Sequence, residues 1–299
     1  MKHNNRKLAT VFAILAAALY AINVPLSKLL LEQAGATMMA ALLYLGAGLG
    51  LLLYGLAKKA SGKGEKQEPL TKKELPYTVA MVVLDILAPI FLMLGIARTN
   101  SANASLLNNF EIVATSLIAL LVFKEKISKR LWVAIVLVVV ASVILSFEGA
   151  GAFVFNEGSL FVLAASICWG MENNCTNKIS HKSAVEIVVI KGCFSGLGSL
   201  LIAFFIGESL PALKWIILVL LLGFVAYGLS IKFYIQAQKY LGAAKTSAFY
   251  SVAPFLGVAF SMLLLGERPK LQFYAGLVIM VISTVLMIRD TLQGDTYTE

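Results

Sequence analysis

Charge is what this chain has least of. Only 14% of its 299 residues are Asp, Glu, Lys or Arg, against about 25% in an ordinary soluble domain, so a water-facing surface cannot be built around it. Histidine is scarcer still. His3 and His181 are the only two, both outside the apolar segments, and H-E-x-x-H does not occur, which removes the usual zinc-hydrolase helix. A single aspartate, Asp85, lies inside an apolar run, so two aspartates sharing a proton are not available for intramembrane proteolysis. No loop could hold a nucleotide-binding domain, and the G-x-x-x-x-G-K-[ST] phosphate loop is missing, so neither ATP nor any other cofactor is expected to drive this chain. Cys168, Cys175 and Cys193 sit within apolar segments without metal-like spacing and read as small packing residues, with no metal site expected. These absences argue against an enzyme.

What is present in excess is apolar sequence, 59% of the chain. Runs with little charge occupy about 8–31, 37–57, 76–97, 102–123, 131–147, 159–177, 185–206, 214–235, 246–265 and 271–288. Each is about 17 to 25 residues, the length at which a helix crosses a hydrocarbon core of about 30 Å. The sequence therefore predicts an all-α integral membrane protein with ten transmembrane helices. The net charge of +9 follows the same logic and does not point to nucleic acid. If the spans alternate, Lys2, Arg6, Lys7, the basic loop 58–75, the turn 124–130, Lys178, Lys182, Lys239, Lys245 and Arg289 share one side. The positive-inside rule then puts both termini in the cytoplasm, in the cytoplasmic membrane of a prokaryote. The first apolar run is too long for a signal peptide and is read as span one. The loop 58–75, polar with Gly and Pro, is expected to be a disordered connector.

Two stretches repeat. VATSLIALLVFKEKISKRLW from Val113 returns 142 positions later as FLGVAFSMLLLGERPKLQFY from Phe255: an apolar segment, a glutamate (Glu125, Glu267), a charged turn and an aromatic restart (Trp132, Tyr274). Asn23, Ser27 and Lys28 return 150 positions later as Asn173, Asn177 and Lys178. The chain is thus read as two copies, 1–150 and 151–299. Five spans per copy is an odd number, so the second copy must enter the membrane inverted. The fall in offset is assigned to the long loop 58–75 against the short turn 207–214 in the second copy.

With Trp169-Gly170 before Lys178 in span six, and Ala248, Ser251, Pro254, Leu263, Leu265, Gly266 and Glu267 in span nine, this duplicated unit resembles the drug/metabolite transporter superfamily, EamA type. The resemblance covers almost the whole chain. It implies ten helices in two inverted repeats and a secondary transporter. It also implies that spans one and six line a central cavity, which recruits Tyr20 and Asn23 on span one and Trp169, Glu172 and Asn173 on span six.

Ionised side chains at bilayer depth cost about 2.5 to 3.5 kcal/mol on insertion scales and need a partner, water or a task. Five qualify: Asp85, Glu111, Glu172, Lys191 and Lys232. Glu111 is the prime candidate for substrate binding or proton exchange, because Ala104, Asn108, Glu111 and Thr115 form a polar stripe at helical spacing. Its structural alternative is a pair with Lys232. Trp169 and Glu172 suit an organic cation by cation–π and charge contact. Asp85 precedes Pro89 by one turn, and a proline inside a span suggests a kink beside a cavity. Lys191 opens the run K-G-C-F-S-G, whose Gly192 and Gly196 are assigned to close helix packing. Lys232, with Tyr227 nearby, is a candidate for a substrate carboxylate, and Tyr250 precedes Pro254. Lys28 and Lys178 are expected to snorkel to the interfaces.

Together these features predict a secondary active transporter for a small polar or amphipathic metabolite, with alternating access and proton exchange at Glu111. Both signs of buried charge suit an amino acid, and Trp169 with Glu172 suits an amine. A channel or a non-transporting membrane sensor is the alternative, with an intramembrane enzyme behind it. The expected partners are the substrate, the bilayer and protons; monomer and homodimer both stay open.

Overall fold

The structure is a computed structural model that describes residues 2–61, 68–124, 128–148, 154–241, 246 and 249–293. Apart from a two-strand hairpin, β1 (Phe147–Glu148) with β2 (Val154–Phe155), the ordered elements are helices. Span one is α1 (Lys2–Ala21) and α2 (Asn23–Leu30); span two is α3 (Ala36–Ala60); span three is α4 (Leu75–Arg98) behind one 3₁₀ turn. Span four is α5 (Ser101–Leu107) and α6 (Phe110–Phe123), and span five is α7 (Lys129–Ser146). The second half repeats the plan. Spans six and seven are α8 (Glu157–Ile179) and α9 (Ala184–Phe205). Span eight is α10 (Leu213–Leu222), a π segment (Gly223–Leu229) and α11 (Ser230–Leu241). Span nine is α12 (Ala253–Leu265) and span ten is α13 (Leu271–Gln293).

Among the described residues, 8 helical segments are long and apolar enough to cross a bilayer. The other two are α8 and α12. In α8, 23 residues long, Glu172, Asn173, Asn174 and Thr176 dilute the hydropathy. In α12 the helix is cut to 13 residues by the turn that precedes it. These make the ten predicted spans.

Inversion is visible wherever a span packs on its own copy. Between spans two and seven, Gly55 meets Val185, Gly48 meets Gly192 and Leu45 meets Gly196. Between spans four and nine, Ser101 meets Glu267 and Ser105 meets Gly257. Between spans five and ten, Ser128 meets Asp290, Ala134 meets Ser283 and Leu145 approaches Gly276. In each pair one number rises as the other falls, so the copies are antiparallel, as five spans per copy demand. Span two also presses on span eight: a Cβ on Gly223 would lie 2.1 Å from the Leu43 carbonyl oxygen. Lipid offers helices no hydrophobic drive to associate, so this contact through small residues is what holds them together.

The helix ends explain the turns. Gly266 ends α12 in the left-handed conformation (φ 63°), and Lys124, at the equivalent place in the first copy, ends α6 the same way at φ 55°. Glu267 accepts bonds from the Ser101 and Ala102 amides, both at 2.9 Å, capping α5. Glu208 does the same for α3 through Thr37 and Met38. A carboxylate over a helix N-terminus satisfies orphan donors and opposes the helix dipole. Glu125, the copy of Glu267, lies outside the described residues.

Two expectations are corrected. The loop 58–75 is ordered over its second half, where Thr71 and Glu74 form a capping box; residues 62–67 lie outside the described set. Lys28 does not reach for the interface: its Nζ donates to the carbonyls of Ile96 (2.6 Å) and Thr99 (2.7 Å), closing the C-terminal end of α4. Carbonyls at a helix end are a better partner for an ammonium than lipid headgroups at a distance.

Candidate functional site

The helices break at mid-depth, and the breaks face one another. In span one the α-helix stops at Ile22 before Pro25, whose missing N–H would have bonded Ala21. Span four breaks at Asn108 and Asn109, span eight relaxes into the π segment, and span nine turns at Ser251 before Pro254 enters the first turn of α12. Irregular backbone is tolerated at membrane depth where it lines a cavity. Here Tyr20, Glu111, Tyr227 and Tyr250 stand at or beside the four breaks and line one chamber with Trp169, Glu172 and Asn173.

One wall is ionic. Lys191 on α9 places its Nζ 2.9 Å from Glu172 Oε1 and 3.1 Å from Asp85 Oδ2, and all three side chains are buried. Tyr44 donates its hydroxyl to Asp85 Oδ1 at 2.7 Å, Trp169 Nε1 donates to the Tyr44 oxygen at 3.3 Å, and the Thr176 hydroxyl donates to Glu172. The trio ties spans three, six and seven together and carries one negative charge in excess when all three are ionised.

The facing wall is aromatic. Tyr20 lies 5.6 Å from Tyr227, 5.7 Å from Tyr250 and 6.4 Å edge-on from Trp169, ring centre to ring centre. Tyr234 packs on Tyr250 at 5.0 Å. Glu111 opens between the walls. Its Oε1 accepts from Asn173 Nδ2 at 2.5 Å, and no lysine or arginine among the described residues reaches it. The chamber encloses about 50 Å³, room for a water or two; anything larger requires the walls to part.

Most of the residues singled out from sequence converge here: Glu111, Glu172, Trp169, Asn173, Tyr20, Tyr227 and Tyr250 line the chamber. Asp85 stands behind it, bonded through Lys191 and Tyr44. Asn23 is also one step back, donating to the Tyr227 hydroxyl at 3.1 Å while accepting from Ser27. Asn108 lines a smaller neighbouring cavity with Glu111 and Tyr250. Its Oδ1, and both polar side-chain atoms of Asn109, are buried without a hydrogen-bond partner. Lys232 is apart. Its Nζ lies over the rings of Tyr54 (4.9 Å) and Phe233 (4.8 Å), away from the chamber, so it neither pairs with Glu111 nor lines the site.

Sequence reasoning gave Lys191 no place in the site and assigned its neighbouring glycines to packing, yet the lysine is the hub. Its glycine neighbours do pack on span two, and that seam is what delivers the lysine to Asp85 and Glu172. The signal was the scarcity of mid-span cations: with three acids, Asp85, Glu111 and Glu172, set against two lysines, each lysine was a candidate partner. Tyr44 and Tyr234 were missed because a tyrosine in an apolar span has no signature until its neighbours are known. No group of His, Cys, Asp and Glu among the described residues is arranged to hold a metal ion.

A family model described as the EamA-like transporter family matches the chain twice, over residues 7–147 and 156–289. An uncharacterized transporter of Methanothermobacter thermautotrophicus is 24% identical over 280 residues, 88% of this chain and 81% of that one. A solved crystal structure, 17% identical, superposes with a TM-score of 0.69 over 93% of this chain and 94% of its own; that likeness speaks for the fold alone.

Proposed function

The chain belongs to the EamA-like transporter family and is a multi-pass membrane transporter of the drug/metabolite kind, and within that class we propose that it is a secondary active transporter of small organic cations. The observation that carries this is the distribution of charge. Among the described residues, Lys191 is the one cation at the chamber and is held by two carboxylates, while Glu111 faces a tyrosine cage with no cation of its own. An amine or quaternary ammonium would supply the missing charge and meet the ring faces, each such contact contributing about 0.5 to 2 kcal/mol. The amino-acid reading loses its support, because it needed a lysine free to meet a substrate carboxylate.

Proton exchange at Glu111 is the proposed coupling step: substrate and proton compete for one carboxylate, so binding of one releases the other. The four helix breaks around the chamber serve as hinges, and the inverted copies exchange roles to open it to either side. The distribution of basic residues supports termini in the cytoplasm, and the membrane is read as that of a prokaryotic cell.

Reconstituted into liposomes, the protein should show saturable counterflow of a labelled quaternary ammonium, with a zwitterionic amino acid and a sugar as comparisons. Glu111→Gln should abolish accumulation driven by a pH gradient and weaken counterflow of the cation, both of which Glu111→Asp should retain in part. Saturable transport of the amino acid in preference to the quaternary ammonium would overturn the substrate reading, and unchanged pH-driven accumulation in Glu111→Gln would remove Glu111 from coupling.

A further inference from the structure

A second, larger cavity lies outside the chamber, in the half of the molecule away from the N-terminus. It runs between span one and span eight, is lined by Leu26, Leu29, Trp215, Leu218 and Leu222 among others, and has a volume of about 610 Å³. Leu29 and Leu218 are each 46% exposed, so the groove faces the lipid. Its rim includes Glu32, and Lys214 lies over the Trp215 ring at 4.7 Å. Its lining reaches Ile22 and Val225. These are the residues where both helices lose regular geometry, Ile22 at the break of span one and Val225 within the π segment of span eight. Two residues along from each stand Tyr20 and Tyr227, whose rings, 5.6 Å apart, line the chamber.

We propose that this groove is a lateral portal that receives the alkyl chain of an amphipathic organic cation, with the cationic head passing between Tyr20 and Tyr227 to Glu111. The inference rests on the cation reading of the chamber. Three observations commit the groove to this occupant. Its wall is apolar over a length that a chain can follow. In the chamber, Glu111 has no cationic partner among the described residues. Both helices are already irregular at the level where head and tail would join, so the two tyrosines can separate without new backbone bonds being broken.

Counterflow of tetramethylammonium and of decyltrimethylammonium in the same liposomes separates the two ideas. Leu218→Trp and Leu29→Trp, each placed on an exposed position, should weaken the decyl compound about tenfold, the equivalent of about two methylenes returned to water, and leave tetramethylammonium within about twofold. Leu201→Trp, on the lipid face of span seven and 70% exposed, should change neither. A decyltrimethylammonium carrying a terminal diazirine should label spans one and eight, and excess unlabelled compound should suppress that labelling. Equal loss of both cations, no loss of the decyl compound, or label spread over every lipid face or not displaced by competitor overturns the portal while tetramethylammonium transport upholds the chamber. If the unaltered protein moves neither cation, the chamber reading falls and takes the portal with it.

Discussion

The inverted repeat makes the seam between spans three and six the copy of the seam between spans eight and one, yet the two have opposite characters. Where span three begins and span six ends, Met81 and Ile179 are fully buried with Ile187 and Val188, and Leu70 packs against them from the connector. That connector is fastened: Ser183 N–H donates to the Glu68 carbonyl at 3.0 Å, Leu70 N–H to Glu186 at 3.0 Å, and Lys182 pairs with Glu68 at 3.1 Å. The equivalent end of the other seam is the open groove. The turn entering span eight runs only from Gly207 to Ala212, and Glu208 is committed to capping α3, so nothing remains to cover the gap. A difference in loop length has been converted into a difference in access.

The contrast extends to chemistry. Near its other end, the closed seam brings Gly95 onto Gly158, and its middle carries the Asp85–Lys191–Glu172 trio. The open seam is held by neutral bonds such as Asn23 to Tyr227 and Ser230 to the Ala16 carbonyl at 2.8 Å. A charged trio locks spans three, six and seven, whereas neutral bonds leave spans one and eight freer to part.

The comparison can be broken hardest at Lys191. Lys191→Ala leaves two carboxylates buried together, and detergent unfolding should show a loss of about 3 to 5 kcal/mol, largely recovered when Asp85→Asn is added. Gly95→Leu comes next: its Cβ would already meet Val162 Cγ2 at 2.6 Å and the Gly158 carbonyl oxygen at 2.8 Å. Overpacking of this kind costs about 1 to 3 kcal/mol, visible as a lower unfolding temperature, while Leu218→Trp on the open seam should leave that temperature unchanged. Tyr20→Leu should raise the half-saturating cation concentration by about 2- to 30-fold, the loss of a ring contact worth about 0.5 to 2 kcal/mol, and Tyr20→Phe should stay near the parent. Smallest is Ser230→Ala, expected to cost about 0.5 to 1.5 kcal/mol in the same unfolding measurement.

How far the site was legible depended on the kind of signal each residue gave. Glu111 and Glu172 announced themselves because a carboxylate in an apolar run is expensive and so conspicuous. Tyr20, Trp169 and Asn23 were found through the duplication and the family resemblance, which placed them near the centre without saying which touch the chamber. The pairing of charges was not legible. Lys191 and Lys232 are equally conspicuous in sequence, and only the packing of span seven on spans two and three, which lets Lys191 reach Glu172 on span six, separates the hub from a lysine that rests on Tyr54 and Phe233. The helix break at Asn108 and Asn109 was likewise hidden, because the three-and-four spacing of Ala104, Asn108, Glu111 and Thr115 suits an unbroken helix.

By itself the sequence determined the spans, the duplication and its inversion. Hydropathy fixes where a backbone must be helical in lipid, and an odd count per copy leaves no other orientation. Tertiary structure alone decided which carboxylate, among the described residues, stays without a cation and which of two equivalent seams stays open. Both depend on contacts between residues far apart in the chain, a lysine shared by two other helices and a loop with residues to spare, and such contacts leave no periodic trace along a single strand of sequence.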